Sequence, residues 1–161
     1  MMGGTRNDGA ELPESGVYVV VLRAEEAVRG LRVGRLGELT FQPGYYCYVG
    51  SAMKGLPRRL ERHSRRSGKR KHWHIDYLLE EVPSAAFFVW ATDERLECVL
   101  SRAVASVANG GVSGFGCSDC DCQTHLYFFA SSPVNALDQI RLAGPDGGEL
   151  VPRRVSPDSS G

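Results

Sequence analysis

Two strand-forming runs and the helix-forming stretch behind them narrow the folds open to this chain. Gly16-Val17-Tyr18 opens a run of β-branched and aromatic residues over 16–23, and Tyr48-Val49-Gly50 closes another over 45–50. The first run, Val17-Tyr18-Val19-Val20-Val21-Leu22, shows no alternation of apolar and polar positions. A strand with one wet face alternates, so this one is expected to be covered on both faces. Residues 56–66 then read as a helix, with Pro57 suited to its first turn and Leu56 and Leu60 turned inward. Arg59 and His63 are four residues apart and share a face beside that apolar stripe. Two tyrosines on neighbouring strands, opposite a helical Arg/His pair, gather phenol, guanidinium and imidazole. That set suits attack on a phosphodiester, which needs a base for water, a cation for developing charge and a further donor.

The rest of the chain fills out an α/β reading. Residues 1–14 form a flexible leader, 15–142 a single domain, and the Gly-, Pro- and Ser-rich stretch 143–161 is expected to be a disordered tail. Residues 24–43 insert between the two strands, with short extended pieces at Leu31-Arg32-Val33 and Leu39-Thr40-Phe41. A second helix is expected over 72–81, stopped by Pro83, and a third strand over 85–91. A third helix follows to about 107, capped by Thr92 or Asp93. Residues 125–130 make a fourth strand, and Pro133 can start a last short helix to 142. The expected fold is a small, mostly antiparallel β-sheet flanked by helices. At 161 residues the chain suits one ordinary domain, and 42% hydrophobic with 24% charged residues fits a globular class.

Net charge is zero, yet its distribution is uneven. Residues 54–72 hold Lys54, Arg58, Arg59, Arg62, Arg65, Arg66, Lys69, Arg70 and Lys71 against one acid, Glu61, so this segment carries +8 and the remainder −8. A basic stripe on an otherwise acidic protein is the footprint of a phosphate-binding face. His72 and His74, bracketing Trp73, extend it. No apolar run is long enough to span a bilayer, and residues 1–14 lack the apolar core of a secretory signal, so a cytoplasmic protein without a membrane partner is expected.

These triplets, with Arg59 and His63 behind them, resemble the GIY-YIG nuclease domain, valine standing here where the family has isoleucine. Lys71-His72-Trp73-His74-Ile75-Asp76-Tyr77-Leu78, Glu97-Cys98 and Gly114-Phe115-Gly116-Cys117-Ser118-Asp119-Cys120 are similar to its Uri-type branch. The likeness spans roughly residues 15–130. It departs in the hairpin, where residues 19–47 separate triplets that lie closer together in many members. The resemblance implies a metal-dependent DNA endonuclease in which Tyr18 activates water, Tyr48 is its hydrogen-bonding partner, and Arg59 and His63 hold the phosphate. It implies Glu97 as the ligand of one Mg²⁺ or Mn²⁺, with Glu94 the local competitor. Lys54, Arg58, Arg62, Arg65, Arg66, Lys69, Arg70, Lys71, His72 and His74 would then meet DNA. A protein partner or a homodimer would help to choose the substrate. Two other classes fit the residues: a nucleic-acid-binding module that does not cut, and a zinc-stabilised interaction domain.

The cysteines leave three states open. Cys117, Cys120, Cys122 and His125 offer four soft ligands within nine residues, a pattern that can hold a structural Zn²⁺. Reduced thiols, with Asp119 and His125 supporting the loop, are the second state and a disulfide the third. Cys98 lies on the preceding helix and Cys47 beside the second triplet.

Overall fold

The uninterrupted apolar run becomes the central strand, β1 (Gly16–Ala24), and both of its faces are buried. Side chains alternate across a strand. Val17, Val19 and Val21 therefore enter one apolar cluster, while Tyr18, Val20 and Leu22 enter another on the opposite face. Full burial of each such valine or leucine stabilises by about 1.5–3 kcal/mol relative to exposure. The structure, a computed structural model, describes residues 11–66, 70–116 and 122–157.

β1 pairs antiparallel with β4 (Gly44–Ala52), setting Tyr18 opposite Gly50 and Val17 opposite Ser51. Its other edge pairs antiparallel with β5 (Ser84–Ala91). The insertion forms a separate two-stranded ribbon, β2 (Val28–Arg32) with β3 (Glu38–Phe41). Helices α1 (Leu56–Ser64) and α2 (His74–Glu81) cover the Tyr18 face, where Leu56, Leu60, Ile75, Leu78 and Leu79 are buried. Helix α3 (Glu97–Ala105) covers the other face through Leu100 and Val104. It starts later than Thr92 or Asp93 because the Thr92 hydroxyl accepts a hydrogen bond from the Glu94 N–H, closing a turn ahead of the helix.

Beyond α3 come β6 (Gly110–Gly111), β7 (Leu126–Phe129), the short α4 (Val134–Asp138), β8 (Leu142–Ala143), β9 (Glu149–Leu150) and β10 (Arg153–Val155). Among the described residues the main sheet has six strands in the order β10-β5-β1-β4-β7-β6, every pair antiparallel. This is the α/β architecture expected from the sequence.

The tail is a correction. Residues 143–157, expected to be disordered, include the β8–β9 pair and β10, which adds to the sheet edge with Val155 opposite Phe87. Composition alone misjudged it: an open strand edge offers backbone partners, and Pro152 and Val155 are buried there. The leader is corrected in part. The Glu14 carboxylate accepts the Gly55 N–H and its carbonyl accepts the Leu56 N–H, while the Glu11 carbonyl accepts from Arg153. Residues 1–10 and 158–161 lie outside the described residues.

Candidate active site

The two triplet glycines allow close approaches on either side of β1, Gly50 to the Tyr18 ring and Gly16 to the backbone of β5. A Cβ on Gly50 would stand 2.6 Å from Tyr18 Cζ, and one on Gly16 would stand 2.8 Å from the Trp90 carbonyl oxygen. Without them, the Tyr18 ring could not lie across β4, nor could β1 sit so close to β5. The ring is 1% exposed. Its hydroxyl lies 2.9 Å from His63 Nε2. Burial pushes the Tyr18 phenol up to about 12, against the opposing charge and hydrogen bond of Arg59. Burial also carries Tyr48 well above its usual value, helped by the charges of Tyr18 and Glu97.

A cleft of about 220 Å³ opens over this pair, lined by Tyr18, Tyr48, Gly50, Ser51, Arg59, His72, Trp73, His74, Glu97 and Gly116. Six elements or loops meet there. Arg59 reaches in from α1, and its Nη1 donates to the Ser51 carbonyl at 2.9 Å. The flat guanidinium lies 4.4 Å from the centre of the Trp73 ring. Cation–π contact of this kind fixes the fork without neutralising it, leaving donors for an oxyanion.

Glu97 enters from the first turn of α3. The Ser51 hydroxyl donates to its Oε1, and His125 Nδ1 lies 2.9 Å from its Oε2. Burial pushes this carboxyl up. The His125 and Ser51 hydrogen bonds and the charges of His125 and Arg59 outweigh that and hold it below its ordinary value. Each carboxylate oxygen offers about two lone-pair positions, so one remains on each for a hard cation. A single carboxylate, with waters and substrate phosphates completing the shell, fits Mg²⁺ or Mn²⁺.

His63 is a correction of role. At 100° per residue it lies about 40° from Arg59 and about 60° from Leu60 on the helical wheel. The packing turns it inward with Leu56 and Leu60, 1% exposed, away from the cleft lining and behind Tyr18. It therefore meets the phenol and does not line the cleft. His74 differs as well. Its Nδ1 accepts the Gly116 N–H at 2.9 Å, and burial lowers its pKa, so the ring is neutral and Nε2 carries the proton. His72 lines the cleft from an exposed position.

The basic stripe is divided. Arg62 bonds Asp76 at 2.7 Å and also reaches the Arg70 carbonyl. The Arg66 guanidinium donates to the carbonyls of Glu80 and Glu81, meeting acceptors that the end of α2 leaves over. Arg65 pairs with Glu61, and Lys71 with Glu80. These side chains clamp α1 to α2 or to their own neighbours. Among the described residues, no ion pair or hydrogen bond engages the side chain of Lys54, Arg58 or Arg70. A second hollow of about 570 Å³, lined by Lys54, Arg58, Arg59 and Arg62 with Glu14, Gly55 and Pro57, adjoins the first through Arg59. Lys69 lies outside the described residues.

Of the expected soft-metal set, Cys122 and His125 come together, and they are joined by Cys98 of α3. Cys117 and Cys120 lie outside the described residues. Sequence reasoning missed Ser51, Trp73 and Gly116 as site residues. Ser51 follows the second triplet directly and Trp73 sits between two histidines, which is the signal that was present for each. No helix among the described residues is long and apolar enough to cross a membrane. In comparisons with known proteins, residues 17–143, from β1 to β8, match the model of a family described as "Domain of unknown function DUF123". No curated protein and no solved structure matches the chain.

Proposed function

The chain belongs to the DUF123 family, and from the chemistry of its cleft we propose that it is a metal-dependent DNA endonuclease of the GIY-YIG kind. The observation that carries this reading is the meeting of Tyr18, Tyr48, Arg59 and Glu97 on one small cleft. A module that only bound nucleic acid would need the basic hollow and nothing more.

Tyr18 does not act as a free phenolate. With a pKa near 12, only about one part in 10⁵ is ionised at pH 7. It works as a relay: its oxygen takes a proton from water in the cleft as its own proton passes to His63 Nε2, 2.9 Å away. Burial of His63 keeps that proton from solvent. Tyr48 donates to the same reacting group, and Arg59, held flat by Trp73, neutralises charge growing on the phosphate oxygens. His74 contributes a neutral Nε2–H. Glu97 would hold Mg²⁺ or Mn²⁺ jointly with the substrate, and the bound ion would supply Lewis-acid charge neutralisation. Lys54 and Arg58 lead the DNA backbone to Arg59 along the adjoining hollow.

A nicking assay on duplex, branched, damaged and single-stranded DNA, with and without Mg²⁺ or Mn²⁺, tests the proposal. Cleavage should need the ion and should vanish in Glu97→Gln while DNA binding persists. Binding without cleavage on every substrate would leave the non-cutting module as the function. Full cleavage by Glu97→Gln would move the metal elsewhere.

A further inference from the structure

We propose that Cys98, Cys122 and His125 form a site for a thiophilic divalent ion, Zn²⁺, separate from the hard-cation position at Glu97. Their ligand atoms all lie within 4.8 Å of one another. In a tetrahedral zinc site, with Zn–S near 2.3 Å and Zn–N near 2.0–2.1 Å, neighbouring ligand atoms stand about 3.5–3.8 Å apart. Closing that difference takes a contraction of about 1 Å, within the reach of side-chain torsions on a fixed backbone.

The backbone that carries His125 and Cys98 is fixed. The His125 N–H donates to the Phe115 carbonyl and its own carbonyl accepts from Val49, each at 2.8 Å, so the ring is pinned against β4. Cys98 arrives from the first turn of α3. That helix is tied to the same segment by the Ser101 hydroxyl, which bonds the Thr124 carbonyl at 3.3 Å and the Tyr127 hydroxyl at 2.6 Å. Glu97 Oε2 stands at His125 Nδ1, which leaves Nε2 as the ligand nitrogen. A carboxylate behind a ligating histidine in this way sets its tautomer and orientation and raises its basicity.

The donor set selects the ion. Two thiolates and an imidazole are soft to borderline ligands, matched to Zn²⁺ and poorly matched to Mg²⁺ or Ca²⁺. Two thiolates balance the dication, so binding buries no net charge. The fourth position falls to water or another donor. Because Cys98 follows Glu97 directly, the ion would also hold the turn that carries Glu97.

The test reads metal and needs no DNA substrate, so its result is independent of cleavage. Tag-free protein purified under reducing conditions should carry about one zinc per chain by elemental analysis. The Co²⁺-substituted protein should show thiolate-to-metal charge-transfer absorption. Cys98→Ser and Cys122→Ser should each lose that band and at least tenfold in affinity against a chromophoric chelator. Cys47→Ala, at a buried cysteine outside the cluster, should keep both. If the cluster variants fail to fold, titration of chelator-stripped parent protein with Zn²⁺ decides the matter by itself. A folded parent that takes up no zinc, a Cys98–Cys122 disulfide in unreduced protein, or full binding by Cys98→Ser would overturn the site. Equal metal loss in Cys47→Ala would do the same.

Discussion

Replacing Gly50 by alanine tests whether the closing glycine of the second triplet exists to seat Tyr18. The new Cβ would stand 2.6 Å from Tyr18 Cζ and Oη and 2.9 Å from Cε1. The tip of a surface side chain would simply swing away from such a contact. Tyr18 is enclosed under α1 with its hydroxyl at His63, so moving the ring gives up that bond and disturbs the core around Leu56 and Leu60. Overpacking a core costs about 1–3 kcal/mol. Loss of the Tyr18–His63 bond adds about 0.5–1.5 kcal/mol, and the stiffer unfolded chain returns about 0.4–1 kcal/mol. The middle of the balance, about 2–3 kcal/mol, lowers Tm by roughly 4–12 °C in a domain of this size. Thermal melts of the parent and Gly50→Ala at pH 7 measure it. A double-mutant cycle with Tyr18→Leu isolates the cause, because leucine lacks all three clashing atoms. In that background the alanine should cost less than about 0.5 kcal/mol. An equal cost in both backgrounds, or a Gly50→Ala protein that melts with the parent, refutes the steric account.

Three further outcomes follow from the same geometry. Tyr18→Phe should lower cleavage at saturating DNA by about two to four orders of magnitude with affinity unchanged; a variant that folds, binds and cuts at the parent rate removes the relay. Lys54→Ala with Arg58→Ala should flatten the dependence of log Kd on log salt by up to about 1.8, without change in Tm; an unaltered slope would put both side chains off the DNA path. Asp76→Asn removes the charge that Arg62 Nη2 and the His72 and Trp73 N–H groups bond, and breaking such a buried pair costs about 3 kcal/mol or more. Burial pushes the Asp76 carboxyl up, but those three donors and the charge of Arg62 bring it below its ordinary value. With its folded pKa depressed, Asp76 contributes stability that is full above about pH 5 and is lost as pH falls through the folded value. The Tm gap between parent and Asp76→Asn should therefore be widest near neutrality and shrink in acid; a gap constant down to pH 3 or below would sink the ion-pair account.

What could be read from the amino-acid order is what depends on near neighbours. The unalternating apolar run of β1 implied cover on both faces, and the structure supplies it from α1 and α2 on one side and α3 on the other. Pro57, Leu56 and Leu60 marked α1, and the spacing of the triplets required an inserted ribbon. Candidate chemistry was legible to the same extent, since Tyr18, Tyr48, Arg59 and Glu97 do line one cleft. Only the tertiary structure decided the partners. Helix docking turned His63 from the open face onto Tyr18. It also set Arg62 on Asp76 and Arg66 on the end of α2, which commits these two guanidiniums to acceptors within the chain. Strand register put Ser51 between Arg59 and Glu97, a free sheet edge ordered residues that composition assigned to a loose tail, and α3 carried Cys98 to His125. Each of these joins residues many positions apart. Period and propensity report only on the next few residues along the chain, whereas such pairings depend on how helices seat on the sheet.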